Sequence, residues 1–242
     1  MTVSYTDMIA AFNIGSAHPG GLAVTKEMFQ QVEKHPHQSI LDVGCGTGRT
    51  VQYISEQTTG KIIGIDYDPK MITKAKQKLA NTTNVELKTG NVEALPIDEE
   101  TIDCIISESV TSFAHIPVAL KEYARVLREN GILCLLEMTA TMPLSPEAKQ
   151  ELTSFYGLSS IYTEPEWREA IERAGFTLLD SLSFAPETEG VLDSDIHQTI
   201  DPVYFDIMAR HYQLTEKYRD VLGSRIYYCQ KTPKRIRQHV GN

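Results

Sequence analysis

The sequence predicts an α/β fold, a Rossmann-like, mostly parallel sheet with helices on both faces. Short apolar runs of strand length recur along the chain, helical periodicity separates most of them, and a glycine-rich turn follows the first run directly. The candidate strands are Ser39 to Val43, Lys61 to Ile65, Asn84 to Lys88, Ile102 to Ser107, Ile132 to Glu137, Phe176 to Phe184 and Arg225 to Lys231. Alternation of such strands with helices implies a sheet covered on both sides.

Taken in order, the first segment, Met1 to Gln38, precedes the sheet and carries the run Gly15-Ser16-Ala17-His18-Pro19-Gly20-Gly21. After the second strand, Asp68 can cap a helix with Pro69 at its first position, and Met71, Ile72, Ala75 and Leu79 supply the apolar stripe. The stripe Leu120, Tyr123, Ala124, Leu127 is expected to stop at Asn130-Gly131, with glycine in the left-handed position. Thr163 and Glu166 have capping-box spacing, and Trp167, Ala170, Ile171 and Ala174 face one way before Gly175 ends that helix. Pro186 to Gly223 departs from the alternation: Asp201 and Pro202 start a helix striped by Val203, Ile207, Leu214, Tyr218 and Leu222. The expected organisation is one domain, 1–242, with an N-terminal segment 1–38, a core 39–185, an insertion 186–223, and a last strand with a basic tail over 224–242.

Composition excludes several classes. A chain of 242 residues, 41% apolar and 23% charged, can bury a full core without disulfides or metals. With 23 basic and 32 acidic residues the net charge is −9, which argues against broad contact with nucleic acid or anionic membranes. The four cysteines, Cys45, Cys104, Cys134 and Cys229, are widely spaced without a CxxC pair, so reduced thiols and no metal site are expected. Met1 to Ala11 lacks the charged start and apolar run of a signal peptide, and no apolar stretch approaches the roughly 20 residues of a membrane-spanning helix. A cytoplasmic address is expected. In the last twelve residues Lys231, Lys234, Arg235 and Arg237 stand without an acid, which reads as a solvated tail.

The chemistry begins at Leu41-Asp42-Val43-Gly44-Cys45-Gly46-Thr47-Gly48, where alternate glycines follow an apolar strand and precede a helix. Such glycines let the backbone turn sharply and approach a ligand. Asp66 closes the next strand about 20 residues on, where a carboxylate can accept both hydroxyls of a ribose. The pair implies a nucleoside-containing ligand. A dinucleotide fingerprint reads G-x-G-x-x-G, whereas here Gly48 arrives one residue early. Asp42 would repel a pyrophosphate but favour a sulfonium with its ammonium group, which points to S-adenosylmethionine.

These residues resemble the class I S-adenosylmethionine-dependent methyltransferases, particularly the small-molecule group of ubiquinone/menaquinone-biosynthesis and sterol-type enzymes. The glycine run looks like the family's first motif, and Gly64-Ile65-Asp66-Tyr67-Asp68 with Met71 like its ribose and adenine segment. Gly90-Asn91-Val92-Glu93-Ala94-Leu95-Pro96 is similar to the adenine motif, with Asn91 in the usual Asp place. Ile102 to Ser107 matches the fourth-strand motif, and Val126-Leu127-Arg128-Glu129-Asn130-Gly131-Ile132 resembles the turn before the fifth strand. The resemblance implies a seven-stranded sheet of order 3-2-1-4-5-7-6 with the last strand antiparallel, and release of S-adenosylhomocysteine as product. It places Asp42, Gly44, Cys45, Gly46, Gly48 and Ser107 at the methionine part, Asp66 at the ribose, Tyr67 and Met71 on the adenine faces, and Asn91 and Val92 at its edge. His18-Pro19-Gly20-Gly21 resembles a segment that folds over the cofactor in many members, with Gly20 and Gly21 approaching it closely.

Methyl transfer from a sulfonium is an in-line displacement for which a base is optional. His115 is the leading candidate base, followed by Glu108, Glu137 and His18. The family often carries its His one or two residues after the strand motif, where this chain has Ser112 and Phe113. Ser107-Glu108-Ser109-Val110 also lacks the Asn/Asp-Pro-Pro-aromatic signature of enzymes that methylate base or glutamine amines. The 186–223 insertion sits where family members build a lid, and Tyr204, Met208, His211 and Tyr212 are its candidate acceptor contacts; a packed helix or dimer contact is the alternative. The expected partner is a small-molecule acceptor. Two other functions stay open from sequence: a cofactor-binding sensor or partner subunit without methyl transfer, and an NAD-dependent oxidoreductase.

Overall fold

A computed structural model describes residues 3–12, 20–184 and 201–233. Its helices are α1 (Tyr5–Ala11), α2 (Gly21–Val32), α3 (Arg49–Gln57), α4 (Pro69–Lys78), α5 (Ile116–Val126), α6 (Pro146–Tyr156), α7 (Glu164–Arg173) and α8 (Val203–Tyr218). The strands are β1 (Ser39–Val43), β2 (Lys61–Asp66), β3 (Val85–Thr89), β4 (Ile102–Glu108), β5 (Leu127–Ala140), β6 (Tyr162–Thr163), β7 (Phe176–Phe184) and β8 (Leu222–Lys231). The sheet runs β3-β2-β1-β4-β5-β8-β7, with the two-residue β6 pairing β5 to one side. The strands from β3 to β5 are parallel, and β8 lies antiparallel between β5 and β7. With the short β6 set aside, this is the expected order.

Strand parity sorts the core into two layers, because successive side chains point to opposite faces. Leu41, Val43, Ile63, Ile65, Ile105 and Leu135 face one way and pack with Tyr123 of α5 and Trp167 of α7. Ile40, Ile62, Cys104, Ile106 and Cys134 face the other, against Met28 and Phe29 of α2, Ile54 of α3 and Ile72 of α4. The N-terminal segment therefore divides, with α2 belonging to the core. A third cluster lies past the carboxyl end of β5: Ala140 with Leu152 and Tyr156 of α6, Leu158, Ile161 and Leu214 of α8, flanked by Tyr5 of α1.

Local signals hold at several ends. Asp68 accepts from the Lys70 amide at the start of α4, the Thr163–Glu166 capping box is formed, and Gly175 takes φ +95° after α7. Three expectations change. Helix α5 stops at Val126, and β5 already starts at Leu127; Asn130, at φ +62°, takes the left-handed position instead of Gly131. Gly131 is needed for space, since a Cβ there would lie 2.9 Å from the Arg128 carbonyl oxygen. Leu222 begins β8 and is no part of the α8 stripe, of which only Leu214 is fully buried. Lys231, counted with the tail, is buried at the end of β8 and donates to the Leu127 carbonyl at 2.6 Å. Lys234, Arg235 and Arg237 lie outside the described residues. No helix among the described residues is long and apolar enough to cross a membrane.

Candidate functional site

The turn after β1 carries φ of +70°, +52° and +80° at Gly44, Gly46 and Gly48, and each glycine serves a different need. A Cβ on Gly44 would fall 2.2 Å from Val110 Cγ2, and one on Gly48 would meet Leu79 and Ala75 at 3.0 and 3.1 Å. Only at Gly46 is there nothing within 4 Å, so its backbone fronts open space. The Gly44 and Cys45 amides both donate to the Ile65 carbonyl at 2.7 and 2.9 Å, which fastens the turn to β2. Cys45 is buried beside Gly64, and burial pushes its thiol far up, leaving an inert wall residue.

Parity brings three carboxylates to the α2/α3 side of the strand ends: Asp42 on β1, Asp66 on β2 and Glu108 on β4. Asp66 Oδ2 accepts from the Gly46 amide and Oδ1 from the Asp68 amide, both at 2.8 Å. Each oxygen keeps a lone pair for a further donor. Glu108 accepts from Thr25 of α2 through Oε1 and from Thr50 of α3 through Oε2, both at 2.6 Å. Asp42 is buried and its Oδ2 has no hydrogen-bond partner. Burial, then the neighbouring Glu108 and Asp66, holds the Asp42 carboxyl well above the usual range. Burial raises Asp66 as well, opposed by the amides of Asp68 and Gly46. Such a cluster stabilises a cation and repels a phosphate.

Next to it, the Gly90 amide donates to the Asp66 carbonyl at 2.9 Å, which sets the β3–β4 turn beside β2. Asn91 is exposed, with Oδ1 accepting from the Glu93 amide at 2.9 Å, so its amide group is left to donate outward. Val92 and Met71 are half-buried. Tyr67 is 79% exposed, which removes a core role for its ring. Gly20 and Gly21 open α2 in left-handed conformations, φ +84° and +51°. His18 and Pro19 lie outside the described residues.

Several residues singled out in the sequence have protein partners of their own. Ser107 has the opposite parity: its hydroxyl is buried with Thr111 Oγ1 at 3.1 Å, in a chain that reaches Tyr123, and points away from the glycine turn. Glu137 is buried and occupied, accepting from the amides of Val110, Thr111 and Ser112 and from the Ser112 hydroxyl at 2.7 Å. These bonds hold the 3₁₀ turn Thr111–Phe113 against the end of β5. Glu108, with both oxygens bonded to threonines, clamps α2 and α3 to β4. His115 is exposed at the N-cap of α5, its amide donating to Glu93 at 2.8 Å. Thr50 and Tyr156 were missed. Thr50 was signalled only by its place in the first turn of α3 facing the sheet.

The insertion helix α8 packs on α6 and α1. His211 Nδ1 lies 3.0 Å from the Tyr156 hydroxyl, and the Tyr5 ring sits 4.9 Å from that of Tyr156 and 5.4 Å from that of His211. Tyr204 and Met208 are half-buried, Tyr212 is mostly exposed, and Phe12 meets Phe205 edge-on at 5.3 Å. Helix α1 also reaches α4, where Lys74 donates to the Ala10 carbonyl at 3.3 Å. It therefore crosses from α4 to α8 along the carboxyl edge of the sheet. Among the described residues no group of three His, Cys, Asp or Glu is placed to hold a metal ion.

A parallel sheet with an open-fronted glycine turn and a carboxylate closing the second strand defines a protein suited to a nucleoside-bearing ligand. Residues 40–131 match the family described as a methyltransferase domain. The uncharacterized methyltransferase YodH of Bacillus subtilis (strain 168) is 36% identical over 231 residues, which cover 94% of this chain and 99% of that protein. Demethylmenaquinone methyltransferase of Shouchella clausii is 33% identical over 125 residues, about half of either chain (49% and 53%). Among solved structures, Haemonchus contortus phosphoethanolamine N-methyltransferase 2, in complex with S-adenosyl-L-methionine, superposes with a TM-score of 0.78 at 14% identity, covering 94% of this chain and 57% of that one. The chain belongs to the class I S-adenosylmethionine-dependent methyltransferases. That membership removes the NAD-dependent oxidoreductase from consideration.

Proposed function

We propose that the chain binds S-adenosylmethionine across the carboxyl ends of β1, β2 and β4 and methylates a small-molecule acceptor beneath the α1–α6–α8 layer. The observation that carries this reading is the unpartnered, buried Asp42 Oδ2 among three carboxylates beside Gly46. A ligand bearing a sulfonium and an ammonium group answers that charge. In the reading, Gly46 and Gly44 line the methionine part, Asp66 takes the ribose hydroxyls on its two remaining lone pairs, and Tyr67 and Met71 cover the adenine. Asn91 donates to the adenine edge beside the Val92 backbone. Gly20 and Gly21 approach from α2, held in place by Thr25 on Glu108.

When bound, the sulfonium supplies a methyl group already activated for displacement. The protein's contribution is alignment and exclusion of water. The small-molecule acceptor is supported by the charge of −9, which disfavours nucleic acid, and by the small molecules in the names of two similar proteins, a demethylmenaquinone and a phosphoethanolamine methyltransferase. Parallel calorimetric titrations with S-adenosylmethionine, S-adenosylhomocysteine and NAD test the reading. Binding of the two adenosyl ligands alone is expected; binding of NAD, or of none, overturns it. A cytoplasmic location follows the same reading.

A further inference from the structure

The three carboxylates beside the glycine turn are held in three different ways. Asp66 is fixed by the Gly46 and Asp68 amides. Asp42 is enclosed with Oδ2 unpartnered, and burial, then Glu108 and Asp66, holds its carboxyl well above the usual range, so it keeps a proton where ordinary carboxylates have lost theirs. Glu108 accepts through both oxygens, from the hydroxyls of Thr25 and Thr50 at 2.6 Å each, the short distances of charge-assisted bonds. Both threonines are buried. Thr50 stands in the first turn of α3, which holds no acid of its own, so the Glu108 carboxylate also meets the positive end of that helix. Strand register sets its place. Glu108 ends β4 one residue past the Val43–Ser107 pair, level with Gly44 and one strand spacing away, roughly 5 Å. On the other side Thr25 lies one helical turn beyond Gly21. The carboxylate therefore stands between the two glycine segments that flank the methionine part in the proposed donor site.

We propose that Glu108 sets the selectivity of the donor site: it is the fixed anion that shifts preference toward the sulfonium of S-adenosylmethionine and away from the neutral thioether of S-adenosylhomocysteine, and through Thr25 it positions the start of α2 on the same part of the ligand. This rests on the methyltransferase reading and deepens it. The two molecules differ by one methyl group and one unit of charge. An anion set beside the sulfur acts on that difference, whereas hydrogen bonds to the ribose, the adenine and the methionine ammonium act on both molecules alike. Across several ångströms in a half-buried site, such an attraction is worth about tenfold in affinity. Asp42 has no charge to offer until it gives up its proton, and doing so beside Glu108 is opposed by repulsion. Glu108 has its hydroxyl donors in place before any ligand arrives, so it needs no rearrangement to present its charge. The consequence reaches turnover. When the S–C bond breaks, sulfur keeps the electron pair and loses its positive charge, and the hold of Glu108 on the spent donor weakens.

The test is calorimetric titration of the full chain with S-adenosylmethionine and S-adenosylhomocysteine, read as the ratio of the two affinities. Glu108→Gln loses the charge and can still bond both threonines, its carbonyl accepting from one hydroxyl and its amide donating to the other. It should weaken S-adenosylmethionine about tenfold and S-adenosylhomocysteine less than about twofold. Thr25→Val keeps the charge and removes one hydroxyl. It should weaken both ligands together, by about threefold, keep the wild-type ratio, and raise hydrogen exchange in the first turn of α2. Glu108→Asp, which keeps the charge but is too short to reach both hydroxyls, should keep most of the ratio. An unchanged ratio in folded Glu108→Gln overturns the selectivity role, as does an equal fall of the ratio in Glu108→Asp. Unmoved affinities and exchange in Thr25→Val overturn the positioning of α2. Sinefungin supplies a measurement on the wild-type chain alone, because its amine stands where the sulfonium methyl does. It should bind closer to S-adenosylmethionine than to S-adenosylhomocysteine, and binding no tighter than the thioether overturns the fixed anion. Failure of the wild-type chain to bind any adenosyl ligand overturns the cofactor reading itself.

Discussion

The two sides of the carboxyl edge are held by different forces. At the glycine turn the key groups are short and fastened to main chain or to short hydroxyls: Asp66 by two amides, Glu108 by two threonines, the turn itself by the Ile65 carbonyl. In the α1–α6–α8 layer the contacts run between long side chains: rings pack on rings, the Tyr156 hydroxyl meets His211 Nδ1, and Glu151 of α6 accepts from Arg210, Lys217 and Tyr218 of α8. Backbone-held groups are pre-set and tolerate little change, whereas ring contacts can be exchanged for other rings at modest cost. The contrast suits a site whose donor is constant and whose acceptor varies.

The largest effect tests whether the layer and the core are separate units. Trp167 of α7 is fully buried against β5, β6 and β8, so Trp167→Ala should cost about 3–5 kcal/mol of global stability by denaturant titration. Tyr5→Ala should instead raise hydrogen exchange in α1 while leaving the main unfolding transition nearly in place, since a seven-residue helix depends on its contacts. Equal loss of the main transition in both variants would erase the distinction.

Within the glycine turn the contrast sharpens. Gly44→Ala forces a methyl against the stiff Val110 side chain and should destabilise by about 2–3 kcal/mol. Gly46→Ala meets no atom within 4 Å and carries only the left-handed strain, about 1 kcal/mol, so its effect should appear in S-adenosylmethionine affinity more than in melting temperature. The reverse ranking would mean that Gly46 does not front the ligand.

Much of the donor side was legible because its determinants are local. Glycine spacing, a carboxylate closing a strand and the Asp68-Pro69 helix start each lie within a few residues, and the order of apolar runs gave the sheet. Strand parity was legible too: Cys104, Ile106 and Glu108 share the parity of Asp42 and Asp66, whereas the Ser107 side chain faces Thr111 on the other side. The roles of Glu137 and Glu108 were hidden because their partners sit 25 to 83 residues away. Asn130 displaced Gly131 because β5 begins four residues before the glycine, and the tight approach of Arg128 occupies it. In the ring layer, a seven-residue α1 carries too little periodicity to announce its buried face, so Tyr5 and Tyr156 could be joined to His211 only by the fold.

Affinity should separate the two sides next. Asp66→Ala removes the acceptor proposed for the ribose and should weaken S-adenosylmethionine by an amount on the order of 1–3 kcal/mol, read by calorimetry. Part of that loss comes from freeing the Gly46 amide, so Asp66→Asn, which can still accept from one amide, should lose less. Unchanged affinity in Asp66→Ala removes the residue from the site.

The smallest effect is the most specific to the carboxylate cluster. For Asp42 and Asp66 the folded pKa lies above the unfolded one, so the folded state holds their protons more tightly. Their contribution to stability is therefore full below the ordinary carboxylate range and is lost as pH rises through the raised values. A cation placed beside them favours the ionised form and expels protons. Titrations in buffers of different ionisation enthalpy, run as a pH series, should show a fraction of a proton released with S-adenosylmethionine over the range where these carboxyls still hold protons, and less with S-adenosylhomocysteine, which lacks the sulfonium charge. Asp42→Asn should narrow that difference while the ring-layer variant Tyr5→Ala leaves it intact. Equal release with both ligands would place the sulfonium away from the three carboxylates, and would leave the buried Asp42 oxygen without the counter-charge proposed for it.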